Sequence, residues 1–149
     1  MIKFENVSVT YPGGVEALKD LNLEIKDGDF IIIVGLSGAG KSTLLRTVNN
    51  LVKPSTGSVY LEGKNVTSAK KKELKKIRSQ IGMIFQTFNL VNRSTVLKNV
   101  LTGRLSNIST IRSILGLWPK DQKEMAFEAL NQVEILEKAY VRASNLSGG

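Results

Sequence analysis

The residues from Gly35 to Ser42 combine types and a spacing that can hold a chain of phosphates. They read Gly-Leu-Ser-Gly-Ala-Gly-Lys-Ser and fit the pattern G-x-x-x-x-G-K-[ST] at every fixed position. At ordinary residue frequencies this pattern would arise by chance in about half a percent of chains of this length. The plain alternative is a glycine-rich turn that only starts a helix, and the strand predicted before the segment and the helix predicted after it favour the phosphate site.

Each residue type in this segment suits the binding of an anion. Glycines permit positive φ and close approach, so that successive N–H groups point inward at a phosphate. The following helix offers its unpaired first amides and the positive end of its dipole to the same anion. We expect Lys41 to reach the β and γ phosphates, Ser42 to coordinate Mg²⁺ and Thr43 to help at the α phosphate. The predicted phosphate-binding residues are Gly35, Ser37, Gly38, Ala39, Gly40, Lys41, Ser42 and Thr43.

The composition narrows the possible chemistry. The 149 residues include no histidine and no cysteine, which excludes the commonest general base, thiolate metal sites and disulfides. Lys and Arg number 21 against 13 Asp and Glu, a formal charge of +8, and 42% of the residues are hydrophobic, as expected for one basic globular domain. The N-terminus lacks a signal-peptide pattern and the longest apolar run, Phe30 to Val34, is short, so we expect a cytosolic protein.

The first third of the chain is predicted to be rich in strands. Apolar residues alternate with polar ones from Ile2 to Val9 but change phase between Glu5 and Asn6, which predicts a strand with a bulge or turn. Leu21 to Ile25 alternate again, and Asp27 to Asp29 predict the turn of a hairpin that leads into the next strand.

The phosphate segment is predicted to lie between a buried strand and a helix. The run Phe30 to Val34 has no polar face, which is typical of a central strand covered on both sides. Short strands are predicted at Ser58 to Leu61 and Ile81 to Phe85, with a strongly basic helix at Lys70 to Arg78 between them. The helix after the loop is predicted to bury a stripe of Leu44, Leu45, Val48 and Leu51.

The chain beyond Phe85 is predicted to be mostly helical. Asp121, just beyond Pro119, is the predicted N-cap of the last helix. Three helical stripes are predicted, formed by Val96, Leu97, Val100 and Leu101, by Ile111, Ile114 and Leu115, and by Met125, Ala129, Leu130 and Val133.

A phosphate cradle alone does not define a reaction, because GTPases, nucleotide kinases, helicases and transport ATPases share it. The chain has neither the guanine-binding motif N-K-x-D nor the switch motif D-x-x-G of a GTPase. Other motifs occur instead. Tyr11 precedes a Pro-Gly-Gly turn, Gln86 directly follows the predicted strand Ile81 to Phe85, and Leu146 to Gly149 read Leu-Ser-Gly-Gly.

With these motifs the chain resembles, from end to end, the ATP-binding subunit of ABC transporters. The resemblance implies that Tyr11 stacks on adenine, and the alternative is a half-buried tyrosine at a strand end. It implies that Gln86, with Lys41, is catalytic and that Gln86 approaches Mg²⁺ and the attacking water. It also implies that Ser147, Gly148 and Gly149 open the signature motif that clamps ATP bound to a second subunit, although four small residues could also form a flexible tail.

A finer resemblance, to the subfamily that energises phosphonate import, lies in the helical part. It is carried by three segments, Phe88 to Arg93, Val96 to Leu105 and Leu115 to Pro119. The same apolar positions would suit any helical bundle. The function implied is coupling of ATP binding and hydrolysis to uptake of phosphonate or a related oxyanion.

The fold implied is α/β, that of a P-loop NTPase of the ABC ATPase type. It would have an N-terminal antiparallel β subdomain and a helical subdomain, and the C-terminal part of the core would be absent. Residues 1–87 would form the nucleotide-binding core and residues 88–149 the helical subdomain. The cofactors implied are ATP and Mg²⁺. The partners implied are transmembrane permease subunits, a second ATPase subunit in a homodimer and, indirectly, an extracytoplasmic solute-binding protein. No nucleic acid is expected as a partner. The location implied is the cytoplasmic face of the membrane.

The family pattern continues with an apolar strand ending in Asp-Glu (the Walker B pair), a D-loop and a switch histidine, which these 149 residues do not contain. The glutamate polarises the attacking water and the aspartate holds Mg²⁺. We therefore expect this chain to bind nucleotide but to hydrolyse it poorly. We also expect it to be soluble. The Walker B strand normally pairs beside Phe30 to Val34, so we also expect an unpaired apolar edge there, with association or marginal stability.

A rival function arises from the basic excess in residues 64–78. Lysines there could form a patch for nucleic acid or anionic lipid, although Lys71, Lys75 and Arg78 share one helix face opposite Leu74 and Ile77, as on an ordinary solvated helix. No aromatic residue lies among them to stack on bases. The alternative function that this basic segment leaves open, from another class, is a soluble ABC-type ATPase that acts on nucleic acid or ribosomes.

Overall fold

A computed structural model describes residues 1–85 and 89–146, which divide into two compact units, Met1–Gly82 and Met83–Gly149. The described strands are β1 (Ile2–Thr10), β2 (Glu16–Ile25), β3 (Thr56–Leu61) and β4 (Lys64–Asn65). The described α-helices are α1 (Lys41–Val48), α2 (Lys71–Arg78), α3 (Val96–Thr102), α4 (Thr110–Ile114) and α5 (Lys120–Gln132). Short 3₁₀ turns cover Leu105–Asn107, Leu136–Lys138 and Ala143–Asn145.

The first unit is built on an antiparallel sheet in the order β2-β1-β3-β4. The predicted change of phase in β1 is confirmed, because Asn6 has φ 49 and the register of β1 against β2 shifts between Phe4 and Val7. The bulge turns Phe4, Val7 and Val9 to the buried side together, although their spacing in the sequence is uneven.

Two tight turns hold the ends of β2. At its start, the Tyr11 amide donates to the Val15 carbonyl over 2.9 Å. At its end, the predicted turn at positions 27–29 is confirmed by bonds from the Lys26 amide to the Asp29 carboxylate, 2.8 Å, and from the Asp29 amide back to the Lys26 carbonyl, 3.2 Å. The first turn joins β1 to β2 and fixes their register. The second leads into residues 30–34, which form no strand, so the predicted turn is present but the predicted hairpin is not.

Two predicted strands do not form. Residues 30–34 and 81–85 carry no strand hydrogen bonding, and Phe30, Val34 and Ile84 are 86%, 87% and 100% exposed. An apolar run becomes a strand only when other strands pair with its edges, and the described residues supply none for these two segments. Ile33 alone of the first run packs against the core. The predicted central strand is therefore wrong, and so is the unpaired strand edge predicted with it, although most apolar side chains of the run are exposed.

The core of the first unit joins the sheet to α1 and α2. Its buried residues are Phe4, Val7, Leu44, Val59, Val66 and Ile77. The predicted stripe of α1 is partly wrong, because Leu45 and Leu51 are about half exposed whereas Thr43 and Thr47 are buried with Leu44. The Thr47 hydroxyl donates to the Leu44 carbonyl over 2.7 Å, so a polar side chain occupies this buried position without an unpaired donor.

The core of the second unit is formed mainly between α3 and α5. Val96, Leu97 and Leu101 of the first helix are buried with Ala126 and Leu130 of the second, as the predicted stripe of α3 requires. The stripe predicted for α5 is shifted, since Met125, Ala129 and Val133 are exposed and Gln122 and Ala126 are buried. The stripe predicted at Ile111, Ile114 and Leu115 is helical but exposed.

The predicted N-cap of α5 is also wrong. The helix begins at Lys120 with Pro119 at the N-cap position, φ −56 and ψ 150, and Asp121 lies in the first turn. The fixed φ of proline suits the entry into a helix, and a carboxylate one residue further in still interacts favourably with the positive end of the dipole. The Asp121 carboxylate accepts a bond from Gln122 Nε2 over 2.7 Å.

The bulge in β1 provides a test of the sheet. Gly57 has φ +77, and a Cβ there would lie 2.2 Å from the Asn6 carbonyl oxygen, whereas Gly63 has φ +73 with open space around it. Both changes to alanine strain the backbone, but only Gly57→Ala also drives Cβ into the bulge. In urea unfolding, Gly57→Ala should therefore lower the free energy of unfolding by about 1–3 kcal/mol more than Gly63→Ala. Equal losses would contradict the close approach of β1 and β3.

Candidate functional site

The loop predicted to bind phosphate is folded back on itself. Gly38 and Gly40 adopt left-handed conformations with φ of 81 and 82. The Ala39 amide donates to the Leu36 carbonyl over 3.2 Å, which closes a turn inside the loop. Residues 35–39 are exposed, so the concave side of the loop can be reached by a ligand.

Gly40 is the position where the loop lies closest to the sheet. A Cβ on this residue would stand 2.2 Å from the backbone oxygen of Ala17 in β2 and 3.2 Å from Leu18 Cδ2. Only glycine fits so close to another backbone, and only glycine adopts this φ without strain. The last fixed glycine of the motif therefore anchors the loop against β2.

The start of α1 is open to an anion. The helix begins at Lys41, Gly40 lies at the N-cap position, no side chain caps the helix, and its first turn carries no acidic residue. The first bond within the helix runs from the Leu44 amide to the Gly40 carbonyl, 2.9 Å. The amides of residues 41–43 therefore have no helical partner and add to the positive end of the dipole.

Lys41 turns back over the loop. Its Nζ donates to the carbonyl oxygens of Gly35, 2.7 Å, and Leu36, 2.6 Å. An ammonium has three donors, so one remains for an oxygen of a bound phosphate. The Leu36 carbonyl was not predicted as part of the site, and no sequence pattern could mark it, because its contribution comes from the backbone.

Tyr11 meets the first turn of α1. Its hydroxyl lies 3.1 Å from Thr43 Oγ1, and the contact joins residues 32 positions apart. Tyr11 is half-buried just after β1, Thr43 is buried, and Ser42 is exposed beside them. The structure thus brings the aromatic ring, the loop and the serine hydroxyl to one end of α1.

Part of the predicted site cannot be placed. Gln86, Ser147, Gly148 and Gly149 lie outside the residues that the structure describes. Across 1–85 and 89–146, no group of three or more acidic, His or Cys side chains is arranged to hold a metal ion. Of the two residues predicted to hold Mg²⁺, only Ser42 lies among the described residues, and it is exposed. No helix in the described ranges has the length and apolarity to cross a bilayer.

Comparison with known sequences places this geometry in a family. Residues 18–149 match the family described as ABC transporter. Over all 149 residues the chain is 58% identical to the phosphonates import ATP-binding protein PhnC of Bacillus thuringiensis subsp. konkukian (strain 97-27) and 51% identical to PhnC 3 of Halalkalibacterium halodurans. Each match covers 100% of this chain and 58% of the relative, so the chain spans less than two thirds of their length.

Solved structures give the same result. A dimeric ATP-binding cassette in a post-hydrolysis state with ADP and Pi superposes with a TM-score of 0.84 at 36% identity, covering 99% of this chain and 64% of the other. A nucleotide-free ATP-binding cassette from an ABC transporter superposes with a TM-score of 0.77 at 30% identity, covering 99% and 59%. The antiparallel sheet, the glycine loop and the helices that follow are thus those of a P-loop ATP-binding cassette, and the chain belongs to the ABC transporter family.

Proposed function

We propose that this chain forms the nucleotide-binding part of an ATP-binding subunit that couples ATP binding and hydrolysis to import of phosphonate or a related oxyanion. The observation that carries the proposal is the loop at 35–40, folded by two left-handed glycines at the uncapped start of α1 with Lys41 above it. The two sequence relatives named above are phosphonates import ATP-binding proteins, which supports the choice of solute.

The phosphates of ATP are held mainly by the backbone in this proposal. The amides of Ser37, Gly38 and Gly40 and of the first turn of α1 face the phosphates, and Lys41 adds its third hydrogen bond and a positive charge near the β and γ groups. The Ser42 hydroxyl is exposed and holds Mg²⁺, and Gln86, which lies outside the described residues, is its proposed second ligand. Mg²⁺ would neutralise charge between the phosphates.

Tyr11 is the residue proposed to bind the adenine ring. Its bond to Thr43 holds the hydroxyl end of the phenol beside the phosphate loop, and the adenine would stack on a face of the ring. Thr43, proposed to help at the α phosphate, therefore also positions the aromatic residue.

Hydrolysis is proposed for the complete subunit and not for these 149 residues. Within them, no apolar strand ends in the Asp-Glu pair that would orient the attacking water. Phosphate binding needs only the loop and the helix start, whereas turnover needs a base. We therefore propose that this chain binds ATP and releases phosphate no faster than the solution background.

The partners follow from the same proposal. The residues proposed to clamp the ATP of a second, identical subunit are Ser147, Gly148 and Gly149. Residues 88–149 are proposed as the helical subdomain that docks on permease subunits at the cytoplasmic face of the membrane, and residues 1–87 as the nucleotide-binding core. An extracytoplasmic solute-binding protein would act through the permease. The similar proteins do not favour a soluble ATPase that acts on nucleic acid or ribosomes.

The role of Lys41 can be tested by Lys41→Met. Loss of a charged hydrogen bond to phosphate should weaken binding of a fluorescent ATP analogue by at least about tenfold. Lys19→Met, at an exposed lysine 3.7 Å from Glu16, is the matched control and should leave the affinity unchanged. Unchanged affinity in Lys41→Met would contradict the phosphate site, and rapid phosphate release that depends on Lys41 would contradict the proposed lack of turnover.

The role of Tyr11 can be tested with two substitutions. Tyr11→Ala should weaken binding of ADP by about five- to tenfold and leave pyrophosphate affinity unchanged, because only ADP carries a ring to stack. Tyr11→Phe keeps the ring but loses the bond to Thr43, so it should weaken ADP binding less than Tyr11→Ala does. Isothermal titration calorimetry with both ligands measures this. Equal losses for ADP and pyrophosphate in Tyr11→Ala would show that Tyr11 is structural.

A further inference from the structure

The helical unit carries a cluster of exposed aliphatic side chains at α4. Ile111, Ile114 and Leu115 lie on one face of this helix and are 72%, 79% and 63% exposed, and Leu117 just beyond it is 59% exposed. We call these four residues the α4 patch. Exposed aliphatic residues are ordinary when scattered, but four within seven positions form a contiguous apolar surface that marks an interaction site.

The helix that presents the α4 patch is held in place at both ends. Ser109 occupies its N-cap position, with the hydroxyl facing the Arg112 amide. Gly116, with φ +66, ends it in a left-handed turn that lets the Leu117 amide donate to the Arg112 carbonyl over 2.8 Å. The apolar side chains are therefore displayed by a defined structure and are not exposed by a missing fold.

The charged side chains in the cavity at the border of the α4 patch are cationic. The cavity is lined by Arg112 and Lys123 and by no acidic residue. Residues 83–120 of the same unit contain five Lys and Arg and no Asp or Glu. Arg112 lies within the patch and makes no ion pair with any described residue.

Trp118 lies at the border of the α4 patch. It is half-buried against the core of α3 and α5. On the other side it lines a shallow cavity of about 380 Å³ together with Arg112, Leu117 and Lys123. A tryptophan between an apolar surface and cationic side chains is the arrangement found at the boundary between lipid chains and headgroups.

We propose that the α4 patch binds the surface of an anionic phospholipid bilayer. The aliphatic side chains enter the boundary between acyl chains and headgroups, and Arg112 and Lys123 contact the lipid phosphates. A lipid surface fits better than a protein groove because both charged side chains that line the adjoining cavity, Arg112 and Lys123, are cationic and complement an anionic surface. This surface adds a direct contact with lipid to the proposed docking of the subunit on a permease, and it does not depend on nucleotide binding.

Vesicle binding tests the proposal on the whole chain. Trp118 is the only tryptophan, so its fluorescence reports on the α4 patch alone. We expect a blue shift on titration with vesicles of phosphatidylcholine and phosphatidylglycerol at 3:1, and none with phosphatidylcholine alone. Arg112→Gln should weaken binding to the mixed vesicles about fivefold. The double change Ile111→Ser with Ile114→Ser should weaken it at least about tenfold.

Val133→Ser is the matched control, since Val133 is 62% exposed in the same unit but belongs neither to the α4 patch nor to the cavity beside it. It should bind vesicles unchanged, and far-UV circular dichroism should confirm that all variants fold alike. Absence of a shift with mixed vesicles would overturn the proposal and indicate a protein partner. Equal shifts with both vesicle types, or unchanged binding in the double variant, would overturn it as well.

Discussion

The close contact between the glycine loop and the backbone of β2 positions the candidate site. Gly40 lies against the Ala17 carbonyl of β2 so closely that no side chain fits between them. Since β2 pairs with β1, and Tyr11 follows β1 at the turn between them, the same contact fixes where the aromatic ring stands relative to α1. The bond between Tyr11 and Thr43 is the result. The sheet thus sets the distance from Tyr11, the proposed adenine-stacking residue, to the glycine loop.

The loop itself is stabilised by the group that also binds the ligand in our proposal. Lys41 Nζ shares two loop carbonyls, those of Gly35 and Leu36, so the lysine holds the loop in its curved form while keeping one donor free. A helix start with no capping side chain and no acid in its first turn leaves the field there positive. Binding a phosphate at this end of α1 therefore requires little rearrangement, and preorganisation of this kind lowers the cost of binding.

Local features could be predicted from the sequence, and features that depend on distant partners could not. The bulge at Asn6, the turn at 27–29 and the glycine loop follow from residue types at adjacent positions, and all three are present. The run at 30–34 was predicted as a central strand because it is entirely apolar, as strands covered on both faces usually are. A strand also needs neighbours, and the described residues supply none.

Helix faces were predicted only in part for a similar reason. The stripe of leucines predicted which face of α1 is buried, but Thr43 and Thr47 are buried as well. Their hydroxyls can be buried because each has a hydrogen-bond partner, the Tyr11 hydroxyl for Thr43 and the Leu44 carbonyl for Thr47. The contact between Tyr11 and Thr43 spans 32 positions and leaves no local signal. The roles of Gln86 and of residues 147–149 remain proposals, since they lie outside the described part of the chain.

The central claim is that main-chain amides at the start of α1 bind the phosphates of a nucleotide. Amide chemical shifts, followed by NMR as pyrophosphate is added to the isotope-labelled chain, test it most directly. The account predicts that the largest changes occur at Gly38, Gly40, Lys41 and Ser42. Changes spread over the lysines of α2, with the loop amides unmoved, would show that pyrophosphate binds only to general positive charge and would contradict the account.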